Sequence, residues 1–241
     1  MAPLPEPHTP ALALDSAPVN GAGMRTARVK VMTIQATTIE REPSSRRAAS
    51  ADILTRLKLE TAREHAAIEG ATGIMRADLS LADYRDYLEC SYGFYAPVEA
   101  TLEWFGVWDA LGLKAAERMK LPLLERDLAI LGRDIAALPR CDAPPRLGSL
   151  DEALGAVYVL EGSTLGGRVI SRHLRGQFGN GLPLAFLDAY GEKTGESWQA
   201  LRQALRDHAT SRSVENRIIV GAKATFDSFT RWLVRSRQRH V

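Results

Sequence analysis

From Asp52 onward, apolar residues recur at three- and four-residue steps. Leu54, Leu57, Thr61, His65 and Ile68 form one such stripe, the mark of a helix with a single buried face. Ser80 opens a second segment, with Asp83 as an acidic first-turn residue. Leu81, Tyr84, Leu88, Tyr92, Tyr95, Val98 and Leu102 then make a long stripe, and Pro97 within it predicts a kink. Residues 115–136 predict a third helix, broken or bent at Pro122. The stretch around Pro139, Pro144 and Pro145 predicts a loop. Ser149 predicts a helix cap, with Glu152 completing a capping box. Residues 183–190, 195–209 and 213–238 predict one short and two longer helices. No stretch alternates as a strand does, and no Asn-Gly hairpin occurs. The expected fold class is all-α, one multi-helical domain over residues 51–241, long enough to bury a substantial core.

Residues 1–50 break this pattern. The first 23 carry five of the twelve prolines, and no apolar period appears. Such a segment buries too little apolar surface to offset its ordering entropy, so it reads as a disordered extension. It also lacks the charged start and apolar block of a secretory signal. Met24 and Met32 leave the translation start open. The extension holds six Lys/Arg against four Asp/Glu, whereas residues 51–241 hold 25 of each. A neutral helical part argues against nucleic acid as a partner. Arg231, Arg235, Arg237 and Arg239 cluster at the C-terminus, where they would complement a helix dipole. No apolar run is long enough to span a membrane. Cys90 and Cys141 are too few for a disulfide scaffold or a Cys-rich zinc site, and suit a reducing, cytoplasmic setting.

Two segments depart from ordinary helical composition. The first is Gly162-Ser163-Thr164-Leu165-Gly166-Gly167, set between helix-compatible apolar residues. Each interior glycine costs about 1 kcal/mol against alanine. Gly155, Gly162 and Gly166 share one helical face. A face without side chains admits either a flat ligand or a closely packed helix, and spacing alone leaves both open. A phosphate loop is disfavoured, since no strand precedes the glycines and no Gly-Lys-Ser/Thr follows. The second segment is Lys58-x-x-Thr61-x-x-x-His65-x-x-x-Glu69. His65 lies on the apolar stripe, Glu69 one turn on and Lys58 two turns back. A neutral imidazole can ligate iron, and a nearby carboxylate can set its tautomer. A core histidine satisfied by its neighbour is the plainer alternative. His8, His173, His208 and His240 are weaker candidates; His208 is expected on an exposed face, and His173 no nearer than a ligand's edge.

Taken together, Leu57-Lys58-x-x-Thr61-x-x-x-His65-x-x-Ile68-Glu69 and Tyr158-Val159-Leu160-Glu161-Gly162-Ser163-Thr164-Leu165-Gly166-Gly167 resemble the haem oxygenase family. The stripe Tyr84-x-x-x-Leu88-x-x-x-Tyr92-x-x-Tyr95-x-x-x-Glu99 is similar to that family as well. The likeness covers about residues 52–235 and is nearer to the bacterial branch that supplies biliverdin to phytochromes.

The resemblance implies a domain that holds haem between a proximal helix and a glycine-rich distal helix. It makes His65 the iron ligand, with Glu69 beside it. Gly162, Gly166 and Gly167 would place backbone over the haem, and Lys58 would meet a propionate, with Arg202 as a candidate second partner. The implied reaction turns haem b, both substrate and cofactor, into biliverdin, carbon monoxide and iron. It uses dioxygen and an external electron donor such as ferredoxin or a reductase, and a bacteriophytochrome would accept the product. Ser163 stands where some relatives carry a water-ordering aspartate. Two other readings share the pattern: a haem-sequestering protein of the same fold without turnover, and an unrelated helical interaction protein.

Overall fold

The computed structural model describes residues 52–238. The disordered extension expected over 1–50, with His8, and the C-terminal His240 and Arg239 lie outside these residues. Among the described residues the chain is helical and without strands. The helices are α1 (Ile53–Glu60), α2 (Ala62–Thr72), α3 (Leu81–Trp104), α4 (Val107–Ala110), α5 (Leu121–Ile130), α6 (Leu150–Phe178), α7 (Thr194–His208) and α8 (Arg212–Gln238).

The first apolar stripe divides at Thr61. There the backbone leaves the helical region (φ −107°, ψ 8°), while the Thr61 hydroxyl bonds back to the Leu57 carbonyl at 2.7 Å. Before the break, Leu54, Leu57 and Thr61 are buried; after it, α2 has no buried residue. α2 ends at Gly73, whose left-handed φ of 51° suits glycine. The Thr72 carbonyl at that end accepts from Arg237 of α8. One member of the basic C-terminal cluster therefore caps another helix's end.

Ser80 and Asp83 form the full reciprocal box at the start of α3. α3 stays helical through Pro97. Proline has no N–H for the Gly93 carbonyl four residues back, and that carbonyl accepts instead from Cys141 N at 2.9 Å. The loop after α5 is thereby tied to α3.

Four local expectations are corrected. Pro122 lies in the first turn of α5 and starts that helix rather than breaking one. Residues 115–117 and 135–137 are single 3-10 turns. Residues 183–190 form turns, not a helix, and the N–H groups of Ala185 and Phe186 donate to the Asp127 carboxylate at 3.0 and 2.8 Å. At α6, Ser149 accepts from Glu152 N, but the Glu152 carboxylate bonds Gly148 N at 2.7 Å, so the box is displaced by one residue.

α6 and α8 form the centre of the fold. A Cβ on Gly155 would overlap the Ile218 carbonyl oxygen, and one on Gly221 would overlap the Glu152 carbonyl oxygen. Small residues on both helices let the two backbones meet. Asp151, at the start of α6, adds an ionic tie. It accepts from His208 Nε2 and Arg217 Nε, each at 2.7 Å, linking α6 to α7 and α8. His208 is thus half-buried and bonded rather than on the exposed face expected of it.

Candidate functional site

Beyond Gly155, α6 turns its face toward a cavity of about 260 Å³. His65, Glu69, Gly162, Ser163, Gly166 and Gly167 all line it. Two segments about a hundred residues apart in sequence thus share one chamber.

The glycines there differ in role. A Cβ on Gly166 would meet nothing within 4 Å, whereas one on Gly162 would stand 3.6 Å from the Trp198 ring. Gly166 presents backbone to open space, while the Trp198 ring covers Gly162. Gly167 lines the same chamber, but a Cβ there would overlap the Leu187 carbonyl oxygen. It is required by close packing against the 183–190 turns. The close-packing reading of the glycine face thus holds at Gly155, while at Gly166 the face stands open.

His65 occupies a core-stripe position yet its side chain is 58% exposed. The break at Thr61 turns the stripe from core to cavity wall. Its ring meets Phe226 edge-on, with centroids 5.7 Å apart. Nδ1 faces Glu69 at 3.6 Å, beyond hydrogen-bond length. Nε2 is the nitrogen left to a ligand. His173 does not line the cavity, although it sits farther along α6.

Ser163 is held on the cavity wall by two contacts. It donates to the Leu160 carbonyl at 2.7 Å and lies 3.2 Å from the Tyr95 hydroxyl. With its proton spent on Leu160, Ser163 accepts from Tyr95. Ser163 lines the chamber and keeps acceptor capacity there. Burial pushes the Tyr95 phenol well above its ordinary value, so Tyr95 stays a donor. Tyr95 also meets Phe186 edge-on at 5.2 Å, the residue placed by Asp127. On the sequence Tyr95 was one apolar-stripe position among several; nothing there marked it as the partner of Ser163.

Lys58 and Arg202 come together in a different place from His65. They line a groove with Arg206, Tyr158 and Trp198. Tyr158 and Trp198 also wall the cavity, so the basic groove adjoins it. An apolar chamber with an exposed imidazole, bare backbone and a neighbouring cationic groove suits a flat, metal-bearing ligand with acidic arms.

Behind the glycines lies a buried charge cluster that the periodicity did not reveal. Glu161, Arg118 and Lys120 are 2%, 7% and 2% exposed. The available signal was a lone carboxylate within the apolar run Val159-Leu160-Glu161. Glu99, also buried, accepts from Lys120 N at 2.7 Å and Leu121 N at 3.2 Å, capping α5. Burial raises the Glu99 carboxyl above its ordinary value, although these N–H bonds oppose it.

The geometry can be set beside known proteins. A heme oxygenase from Xanthomonas campestris pv. campestris (strain 8004) is 34% identical over 113 residues. That match covers 46% of this chain and 66% of the relative, just under two thirds of its length. The NO- and CO-bound heme oxygenase of Neisseria meningitidis superposes with a TM-score of 0.67 at 19% identity, covering 78% of this chain and 92% of that one. The heme oxygenase of Leptospira interrogans gives 0.63 at 19% identity, covering 77% and 100%. These two likenesses establish the fold. The family model described as Heme oxygenase matches residues 51–235, and on that match, with the fold beside it, the chain belongs to the haem oxygenase family.

Proposed function

We propose that the protein binds haem b in the α6 cavity, with His65 on the iron, and opens it to biliverdin, carbon monoxide and iron. The observation that carries the reading is one chamber holding both an exposed stripe histidine and the bare backbone of Gly166. Bound haem supplies the redox-active iron, and dioxygen and an external electron donor, ferredoxin or a reductase, supply the rest.

The chain's own groups bind, orient and order water. His65 offers Nε2, and Glu69 near Nδ1 favours the tautomer that leaves Nε2 free to bind. Gly166 leaves room for a ring against the helix backbone. Lys58 and Arg202 would meet the two propionates with charge-assisted hydrogen bonds. With its proton on the Leu160 carbonyl, Ser163 would accept from a water entering the chamber. Tyr95 keeps that orientation single. A cytoplasmic setting and a bacterial phytochrome as biliverdin acceptor belong to the proposal through the likeness to the phytochrome-associated branch.

Haem added to the purified protein should give a new Soret band. Reductant and air should then replace it with a red-absorbing bilin band. No Soret band would leave only the helical interaction reading, and a Soret band without turnover would favour sequestration. His65→Ala should keep haem weakly, change the ferrous carbon monoxide spectrum and cut bilin formation sharply. Imidazole should enter the vacated space and restore part of it. A normal spectrum and normal turnover in His65→Ala would remove this histidine from the iron.

A further inference from the structure

A carboxylate within an apolar run is costly to bury unless it is paired. Glu161 is paired on both oxygens. Oε2 accepts from Arg118 Nη1 and Oε1 from Lys120 Nζ, each at 2.6 Å. The Tyr190 hydroxyl donates to the same carboxylate at 2.7 Å. Lys120 Nζ also donates to the Arg118 carbonyl and, at 2.9 Å, to the Tyr190 oxygen. Those three bonds use every ammonium proton. With the Lys120 donors spent inside the cluster, it holds shape rather than serving the cavity as an acid.

One bond carries that rigidity to the site. Arg118 Nη1 also donates to the Ser197 carbonyl at 3.1 Å. Ser197 precedes Trp198, and Glu161 precedes Gly162. A single guanidinium nitrogen therefore ties the residue before the glycine to the residue before the tryptophan. The Trp198 ring stands 3.6 Å from the position a Gly162 Cβ would take, which is van der Waals contact. No aromatic plane passes between them. At Gly166 the same face of α6 is open. Trp198 is also paired with Tyr158, ring centroids 5.6 Å apart, and both wall the groove of Lys58, Arg202 and Arg206. A planar ligand whose acidic arms enter that groove must bring its acid-bearing edge up to this aromatic pair.

We propose that Trp198 is the stop that sets the in-plane seating of the macrocycle, and that Arg118 and Glu161 are positioning residues that hold the stop in place. Trp198 then decides which ring edge lies beneath Ser163, and so which bridging carbon is opened. The proposal rests on the haem reading above.

The test uses the full chain loaded with haem. Proton NMR of the ferric cyanide complex reads in-plane seating from the hyperfine-shifted haem methyl resonances, without turnover. Wild type should give one dominant set. Trp198→Ala should give a displaced or second set, and its bilin should contain a second isomer at a tenth or more of the product. Trp198→Phe should fall between. Glu161→Gln keeps shape but weakens the hold on Arg118, and should produce the same second set with Trp198 intact. Arg118→Met should do so more strongly; if it does not fold, Glu161→Gln still decides whether the cluster matters. An unchanged methyl pattern and isomer ratio in folded Trp198→Ala would overturn the stop. Displacement in Trp198→Ala but none in Glu161→Gln would overturn the positioning role. A wild type with no Soret band would sink the haem reading and this inference together, whereas a normal Soret band with unmoved variants sinks this inference alone.

Discussion

Gly155 and Gly166 lie on the same helix and nearly the same face, about three turns apart. At Gly155 the backbone of α8 fills the space a side chain would need; at Gly166 nothing stands within 4 Å. The residue type and helical phase match, and the physical roles do not. One absence of a side chain lets two helices touch, and the other leaves a wall of backbone facing a chamber. A glycine stripe therefore states only that space beside the backbone is left unfilled by the helix itself. Only the neighbouring element says whether protein fills that space.

The strongest way to break the comparison is to fill the first position. Gly155→Val should destabilise the fold by about 3 kcal/mol or more, since the new side chain displaces the α8 backbone rather than another side chain. Denaturant unfolding would measure it. A wild-type midpoint would mean that α6 and α8 do not meet as described.

Filling the second position should leave stability alone and cost binding. Gly166→Leu gains helix propensity by nearly ~1 kcal/mol, so the melting temperature should hold or rise. Haem affinity, titrated at the Soret band, should fall at least about tenfold, which corresponds to ~1.4 kcal/mol. Full affinity and turnover with leucine in place would put the haem elsewhere.

The smallest effect sharpens the packed end of α6. Burial works against the Asp151 charge, but the bonds from His208 and Arg217 outweigh it and hold the carboxyl below its ordinary value. A depressed folded pKa contributes stability that is present above the unfolded value, near ~3.9, and lost as pH falls through the folded one. Asp151→Asn should cost about 1 kcal/mol at neutral pH. It should also flatten the decline in stability below about pH 4. An acid limb identical to wild type would show that Asp151 is not what ties the three helices together.

The same division runs through the first stripe. Leu54, Leu57, Thr61, His65 and Ile68 read as one continuous core face. Burial holds as far as Thr61, which is 2% exposed, and fails at His65. The period was legible because i, i+3 and i+4 positions share a face in any helix. That the face leaves the core at Thr61 depended on a local backbone break and on α8 standing beyond it. Ser163 behaves alike: its place in the glycine segment was visible, but its bond to Tyr95 joins residues 68 apart in sequence.

By itself, the sequence determined the all-helical class, the caps at Ser80 and Ser149, and the likeness that places His65 and the glycine segment in one family's pattern. These depend on local periodicity, capping chemistry and motif spacing, which act within a few turns of chain. Tertiary structure alone decided which glycines face a neighbouring helix and which face the cavity. It also decided that Lys58 joins Arg202 rather than His65, that Asp127 takes the N–H groups of Ala185 and Phe186, and that Glu161, Arg118 and Lys120 close on one another. Each of these is a contact between distant segments, where desolvation forces buried charges and backbone N–H groups to find partners that no local period encodes.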